Sequence, residues 1–70
     1  VKQDYEKAVL WYQKAADQGD SYAQYSLALC YKNGQGIEQD YKKAVFWYQK
    51  AADQGHKDAQ NNLGACYENG

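Results

Sequence analysis

Two cysteines, one histidine and nine carboxylates are the side chains of this sequence that could do chemistry. Cys30 and Cys66 stand 36 residues apart, with His56 between them. Those three could approach a zinc ion only with a fourth donor, and their spacing matches none of the patterns that gather four ligands, so no metal is expected. Asp58 and Glu68 are the carboxylates nearest to a common line, but on one helix they would lie about 15 Å apart, too far to share a proton-transfer task. The glycines of "NGQG" at Asn33–Gly36 resemble a phosphate loop only in part, because such loops carry further glycines after a strand; a turn is the better reading. No serine or cysteine nucleophile stands at a readable spacing from a base. The expectation is a protein with no catalytic residues and no cofactor.

The distance between the cysteines is also the distance at which "WYQKAADQG" recurs, at Trp11–Gly19 and Trp47–Gly55. Laying residues 1–34 over 37–70 gives 22 identities in 34 positions. A period of this length marks a stacked array of supersecondary units. Each copy reads as two helices. In one type Asp40 serves as N-cap and Tyr41, Ala44, Val45, Tyr48, Ala51 and Ala52 make the apolar face, with Gly55 as the stop. Asp4 to Gly19 repeats it through Tyr5, Ala8, Val9, Tyr12, Ala15 and Ala16. The other type starts near Asp20 or Ser21 and buries Ala23, Leu27, Cys30 and Tyr31, then stops at Asn33-Gly34. Its copy uses Ala59, Leu63, Cys66 and Tyr67 and stops at Asn69-Gly70. Short links force antiparallel neighbours. Trp11, Trp47 and the tyrosines beside them fill gaps between the pairs, and Ile37 tucks under the helix that follows it. The fold expected is all-α, an α-solenoid of antiparallel helix pairs with about four helices. Equivalent cysteines are then separated by a helix of the other type. Packed helices lie about 8–10 Å apart, and a disulfide needs Cα atoms within about 7 Å, so free thiols on a small-residue face are expected.

The run "AQYSLALCYKNGQGIEQDYKKAVFWYQKAADQG", Ala23 to Gly55, resembles the Sel1-like repeat, a relative of the tetratricopeptide repeat. Ala23, Leu27, Tyr31, Gly34, Gly36, Asp40, Lys43, Ala44, Trp47, Tyr48, Lys50, Ala51, Ala52 and Gly55 meet its pattern. Ala28 and Ile37 depart from it, where the family favours glycine and valine; Gly64 restores the glycine in the next copy. The resemblance implies a division of the chain. Residues 1–19 are a second helix, 20–55 a complete repeat, and 56–70 a first helix, with neither end capped. It also implies a scaffold or adaptor that presents a concave surface, lined by first helices, to a peptide or protein. Family members with disulfides pair cysteines within one repeat, a pairing this chain lacks.

Positions that repeat serve the fold; positions that differ are free to serve a partner. On the first helices the differing pairs 22/58, 25/61, 29/65 and 32/68 step by three and four and form one stripe. It carries Tyr22, Tyr25, Leu29 and Lys32 in one copy and Asp58, Asn61, Ala65 and Glu68 in the next. Tyrosine is favoured at binding hot spots, so Tyr22, Tyr25, Leu29, Lys32, Asp58, Asn61 and Glu68 are the candidate partner-binding residues. For Tyr22 and Tyr25, packing against neighbouring helices is the competing reading. Leu10 and Phe46 also differ but fall off the core face and are expected to cover a neighbouring helix or the convex side. Lys7, Lys14, Lys43 and Lys50 recur and are expected to pair with acids on solvated faces.

Eight lysines against nine acids and no arginine give a net charge of −1, without the basic stripe of a nucleic-acid binder. No apolar run approaches the ~20 residues of a membrane span. The sequence opens on Val1 with no secretory pattern, which reads as a processed or excised piece and leaves the compartment open. Two functional readings follow. The first is a non-catalytic module that binds a protein or peptide on the concave face. The alternative is a purely structural, engineered or consensus-like repeat fragment that associates with itself through its uncapped ends, since arrays of fewer than three repeats are marginal.

Overall fold

A computed structural model describes residues 2–69, with side-chain burial for residues 4–68. Four helices follow one another: α1 Lys2–Asp17, α2 Ser21–Asn33, α3 Tyr41–Asp53 and α4 Lys57–Asn69. There is no strand among the described residues. α2 packs against both α1 and α3, and α4 packs against α3. Their order in space is therefore their order in the chain, as the repeat period implies.

The tight links are built the same way twice. At the end of α1 the amide of Gly19 donates to Ala16 O and that of Asp20 to Ala15 O, at 3.0 and 3.1 Å. At the end of α3, Gly55 donates to Ala52 O and His56 to Ala51 O, at 2.9 and 3.2 Å. This crossed pair satisfies carbonyls that a helix end leaves open. Asp20 then starts the next helix, its carboxylate accepting from Ala23 N at 3.1 Å. His56 does the same through Nδ1, which accepts from Ala59 N at 3.2 Å. One residue closes a helix with its amide and opens the next with its side chain.

The longer link, Gly34–Asp40, is tied down on both sides. Asp40 N donates to Tyr31 O at 2.9 Å and Gln39 Nε2 to Lys32 O at 2.8 Å. Asp40 then caps α3 by accepting from Lys43 N at 3.2 Å. Gly36 has φ +72°, and a Cβ there would stand 2.5 Å from the backbone C and O of Tyr5. Only glycine lets this link lie on α1 at such a distance. The tie also explains a difference from the sequence expectation. Asp4, the counterpart of Asp40, does not cap α1; the helix begins at Lys2 and Asp4 lies in its first turn. Asp40 is held out of the helix by the link before it, whereas the described residues around Asp4 include no such anchor. The stop expected at Gly70 lies outside the described residues.

The core is built mostly from small side chains: Ala16, Ala23, Ala28, Ala44, Ala51 and Ala59 are buried, and Leu27 and Tyr48 are the largest side chains fully enclosed. Alanine brings the helix axes close, so that Leu27 and Tyr48 suffice to fill the space. Gln24, only 4% exposed, is the polar tie through this core. Its Nε2 donates to Ala16 O at 3.2 Å, and its Oε1 accepts from Gln54 Nε2 at 2.9 Å. It thus joins the end of α1 to the end of α3. Gln60 repeats the first bond, to Ala52 O at 3.1 Å.

Several expected core aromatics are exposed instead. Tyr5, Tyr41, Tyr67 and Trp11 show 43%, 59%, 65% and 71% of their surface. Tyr41 opens its helix, Tyr67 lies on α4 beyond which no described helix packs, and no described helix lies over Trp11. Trp47 is half-buried against the core, so only one of the paired tryptophans fills a gap. Ile37 packs half-buried against the core. Leu10 and Phe46 are exposed. The recurring lysines are not simply paired with acids: Lys14 Nζ lies 5.5 Å from the Trp11 ring, Lys43 Nζ 5.6 Å from Tyr31, and Lys50 Nζ 5.1 Å from Phe46 and 6.0 Å from Trp47. An ammonium over an exposed ring contributes about 0.5–1 kcal/mol while its alkyl stem shields the aromatic face.

Candidate functional site

α2 and α4 carry the stripe of positions that differ between copies. On α2, Tyr22 is exposed, Tyr25 and Leu29 are half-buried, and Lys32 is half-buried near the helix end. On α4, Asp58, Asn61 and Glu68 are exposed. The structure brings the first three together: Tyr22, Tyr25 and Leu29 line an open hollow of about 450 Å³ between α1 and α2. Its opposite wall is Tyr5, Ala8 and Tyr12 of α1. Lys32, Asp58, Asn61 and Glu68 are not among the residues lining that hollow.

Tyr22 and Tyr25 are held differently. The Tyr25 ring stacks on His56, with centroids 4.8 Å apart and planes at 24°. Its other neighbour is the buried Tyr48 ring, 6.0 Å away. Tyr22 reaches the edge of the same group, 6.3 Å from His56, and still exposes 65% of its surface. The imidazole is fixed in turn, because its Nδ1 caps α4 by accepting from Ala59 N. A half-buried ring braced on both sides and an exposed ring beside it form an aromatic step from α2 to the start of α4. Such rings lose little side-chain entropy on contact with a partner.

His56 is the member of this group that the stripe leaves out. It lies in the link, off the helical period, although the same comparison of copies singles it out, since Asp20 stands in its place. Tyr5, Ala8 and Tyr12 carry no such signal, because each is identical in both copies. Cys30 and Cys66 are free, the first buried and the second half-buried. Among the described residues, no group of three His, Cys, Asp or Glu side chains could hold a metal ion. No described helix is long and apolar enough to cross a membrane.

Helices stacked in chain order, linked by capped turns and repeating every 36 residues, define an α-solenoid of helical hairpins. The Sel1 repeat model matches residues 1–20, 21–56 and 57–70, and the chain belongs to the Sel1 repeat family. Sel1 repeats generally mediate contacts between proteins. Among solved structures, the chain is similar to the crystal structure of a Sel1 repeat protein from Oxalobacter formigenes. The two share 47% identity over 86% of this chain, with a TM-score of 0.84. The match spans 25% of that protein, so this chain corresponds to about a quarter of its length. The comparison with curated proteins returns no match.

Proposed function

We propose that this chain is a non-catalytic protein-interaction module that holds a peptide along the outer stripe of α2 and α4. The observation that supports this reading is the aromatic step of Tyr22, Tyr25 and His56, with Tyr22 largely exposed beside the hollow. An apolar side chain of the partner sits over Tyr22 and Leu29. The carboxylates of Asp58 and Glu68, at opposite ends of α4, each offer a partner lysine or arginine a separate contact, and the Asn61 amide meets the peptide backbone. Lys32 stands near the end of α2 and favours an acidic partner residue there. Burying one tyrosine anchor in this way is the usual origin of a hot spot.

An array of synthetic peptides, probed with the labelled chain, supplies ligands, and amide chemical-shift mapping places them. Tyr22→Ala is expected to weaken binding at least about tenfold with helix content unchanged. Asp58→Lys is expected to discriminate against peptides with a basic residue. Ligands that map to the faces of α1 and α3 and ignore both substitutions would overturn the reading. Tyr25→Ala separates recognition from packing: loss of helix in that variant assigns Tyr25 to the scaffold and leaves Tyr22 as the anchor.

A further inference from the structure

Asp20 and His56 stand at the same place in the two copies and cap the helices that follow them in the same way, yet only one of the two caps changes its charge near neutral pH. In α4 the amide of Gln60 donates to His56 O at 3.1 Å. The amide of Ala59, one residue earlier, belongs to the turn that a helix leaves without carbonyl partners. Its acceptor is Nδ1 of His56, at 3.2 Å. α2 repeats the arrangement: Gln24 N donates to Asp20 O at 3.0 Å and Ala23 N to the Asp20 carboxylate at 3.1 Å. Carboxylates ordinarily titrate below about pH 5, whereas imidazole is the side chain that ordinarily changes charge between about pH 5 and 8. A ring nitrogen accepts the Ala59 proton only while its lone pair is free. A protonated imidazole donates from both nitrogens, so it turns an N–H towards the Ala59 N–H. Its charge then also lies against the positive end of α4.

We infer that His56 is a pH-sensitive switch in the α3–α4 link. The neutral ring holds the start of α4 to the aromatic step, and protonation releases it, while the Asp20 link stays closed. The groups around the ring leave this intact. α2 faces it with the phenols of Tyr25 and Tyr22, at 4.8 and 6.3 Å between centroids. Tyr48 of α3 stands behind Tyr25, 6.0 Å away. Phenols carry no charge in this range. α3 ends in Asp53, whose carboxylate accepts from Gln49 Nε2 at 2.9 Å. α4 opens with Lys57 and Asp58, one charge of each sign. The Tyr25 face attracts a cation, but that attraction supplies no acceptor to the Ala59 amide. The cap therefore opens whether or not the stack survives. Without its cap the ring is no longer fixed beside Tyr25 and Tyr22, so that surface differs between neutral and mildly acidic solution. This consequence for the peptide site rests on the proposed function; the switch itself does not.

The test follows backbone amide exchange in the 70-residue chain by NMR, at about pH 7.5 and about pH 5, on either side of the ordinary imidazole range. Rates are corrected for the intrinsic dependence of exchange on pH. The Ala59 amide is expected to lose protection at least about tenfold between the two, while Ala23, its counterpart under Asp20, keeps its own. His56→Asn offers a side-chain oxygen that does not titrate, and Ala59 is expected to stay protected in it at both values. If circular dichroism shows His56→Asn unfolded, His56→Asp, the residue of the other copy, takes its place. An Ala59 amide that is unprotected at the higher pH, or equally protected at both, overturns the inference. So does an equal loss at Ala23 and Ala59, which denotes a general loosening in acid. A loss in His56→Asn as large as in the unsubstituted chain also overturns it and assigns the effect to Asp53 or Asp58. No peptide is present in these measurements, so peptide binding at the higher pH tests the proposed function separately.

Discussion

Tyr48 and Cys30 meet in the core between the repeated helices, and neither has a charged partner there. Tyr48 is 0% exposed, and its hydroxyl has no hydrogen-bond partner among the described residues. Burial pushes the phenol well above its ordinary value of 10.0, with Cys66, Tyr25 and Cys30 adding to the push. Burial likewise raises the Cys30 thiol from its ordinary 9.0. Both folded values lie above the unfolded ones, so at alkaline pH the folded chain binds more protons than the unfolded chain. Stability is then full below the unfolded values and falls as pH rises through them. The expected outcome is a flat unfolding free energy from neutral pH to about 8, a decline setting in near pH 9 from Cys30, and a steeper one near pH 10 from Tyr48. Urea melts at each pH measure it. Cys30→Ala is expected to remove the first decline and keep the second. A stability that rises between pH 8 and 10 would contradict the burial of both groups.

At the scale of elements, the tight link asks one residue to finish a helix and start another. Asp20 and His56 both do so with the same backbone bonds, and differ only in the capping atom. His56 adds a stacked ring on Tyr25 and so joins α4 to α2 across α3. His56→Ala is expected to cost about 1 kcal/mol from the cap alone, with a further 0.5 kcal/mol or so from the stack. His56→Asp keeps an oxygen acceptor at the helix start and is expected to recover most of the cap but not the stack. Chemical denaturation orders the three chains, and a neutral His56→Ala would remove the link from the account. This link also shows where the sequence is legible. Ala44, Tyr48 and Ala51 read as a buried face because burial recurs with the helical period. His56 escapes that test, as capping has no period. Tyr67 and Trp11 mislead it, because a repeated residue records what the fold buries where a neighbour exists, and here none of the described helices covers them. Of the candidate site, Tyr22 and Leu29 were readable as differing positions, whereas the α1 wall of the hollow was not, being identical in both copies.

The whole molecule is a short row of helices in which position along the row decides what a contact contributes. Leu27 and Leu63 are the same residue at equivalent places. Leu27 is 0% exposed on α2, which has a helix on each side; Leu63 is 9% exposed on α4, which packs chiefly on α3. In a linear array each unit is stabilised by its nearest neighbours, so an inner unit carries two interfaces and an outer one carries one. Leu27→Ala therefore opens a cavity that α1, α2 and α3 all feel, and among the described residues no other large aliphatic side chain is fully enclosed to compensate. Its cost is expected at the upper part of the range of about 2–5 kcal/mol for such truncations, which is as large as what a core of this size supplies, about 3–5 kcal/mol. The chain should then lose its helical circular dichroism throughout. Leu63→Ala is expected at the lower part of that range, and its effect is local: α4 melts first, and α1 to α3 keep their signal until a second transition. Fluorescence separates the two events, because Trp11 and Trp47 lie on α1 and α3 and report only the second. Equal costs and one shared transition for both variants would mean that the row folds as a single unit, with no weaker end.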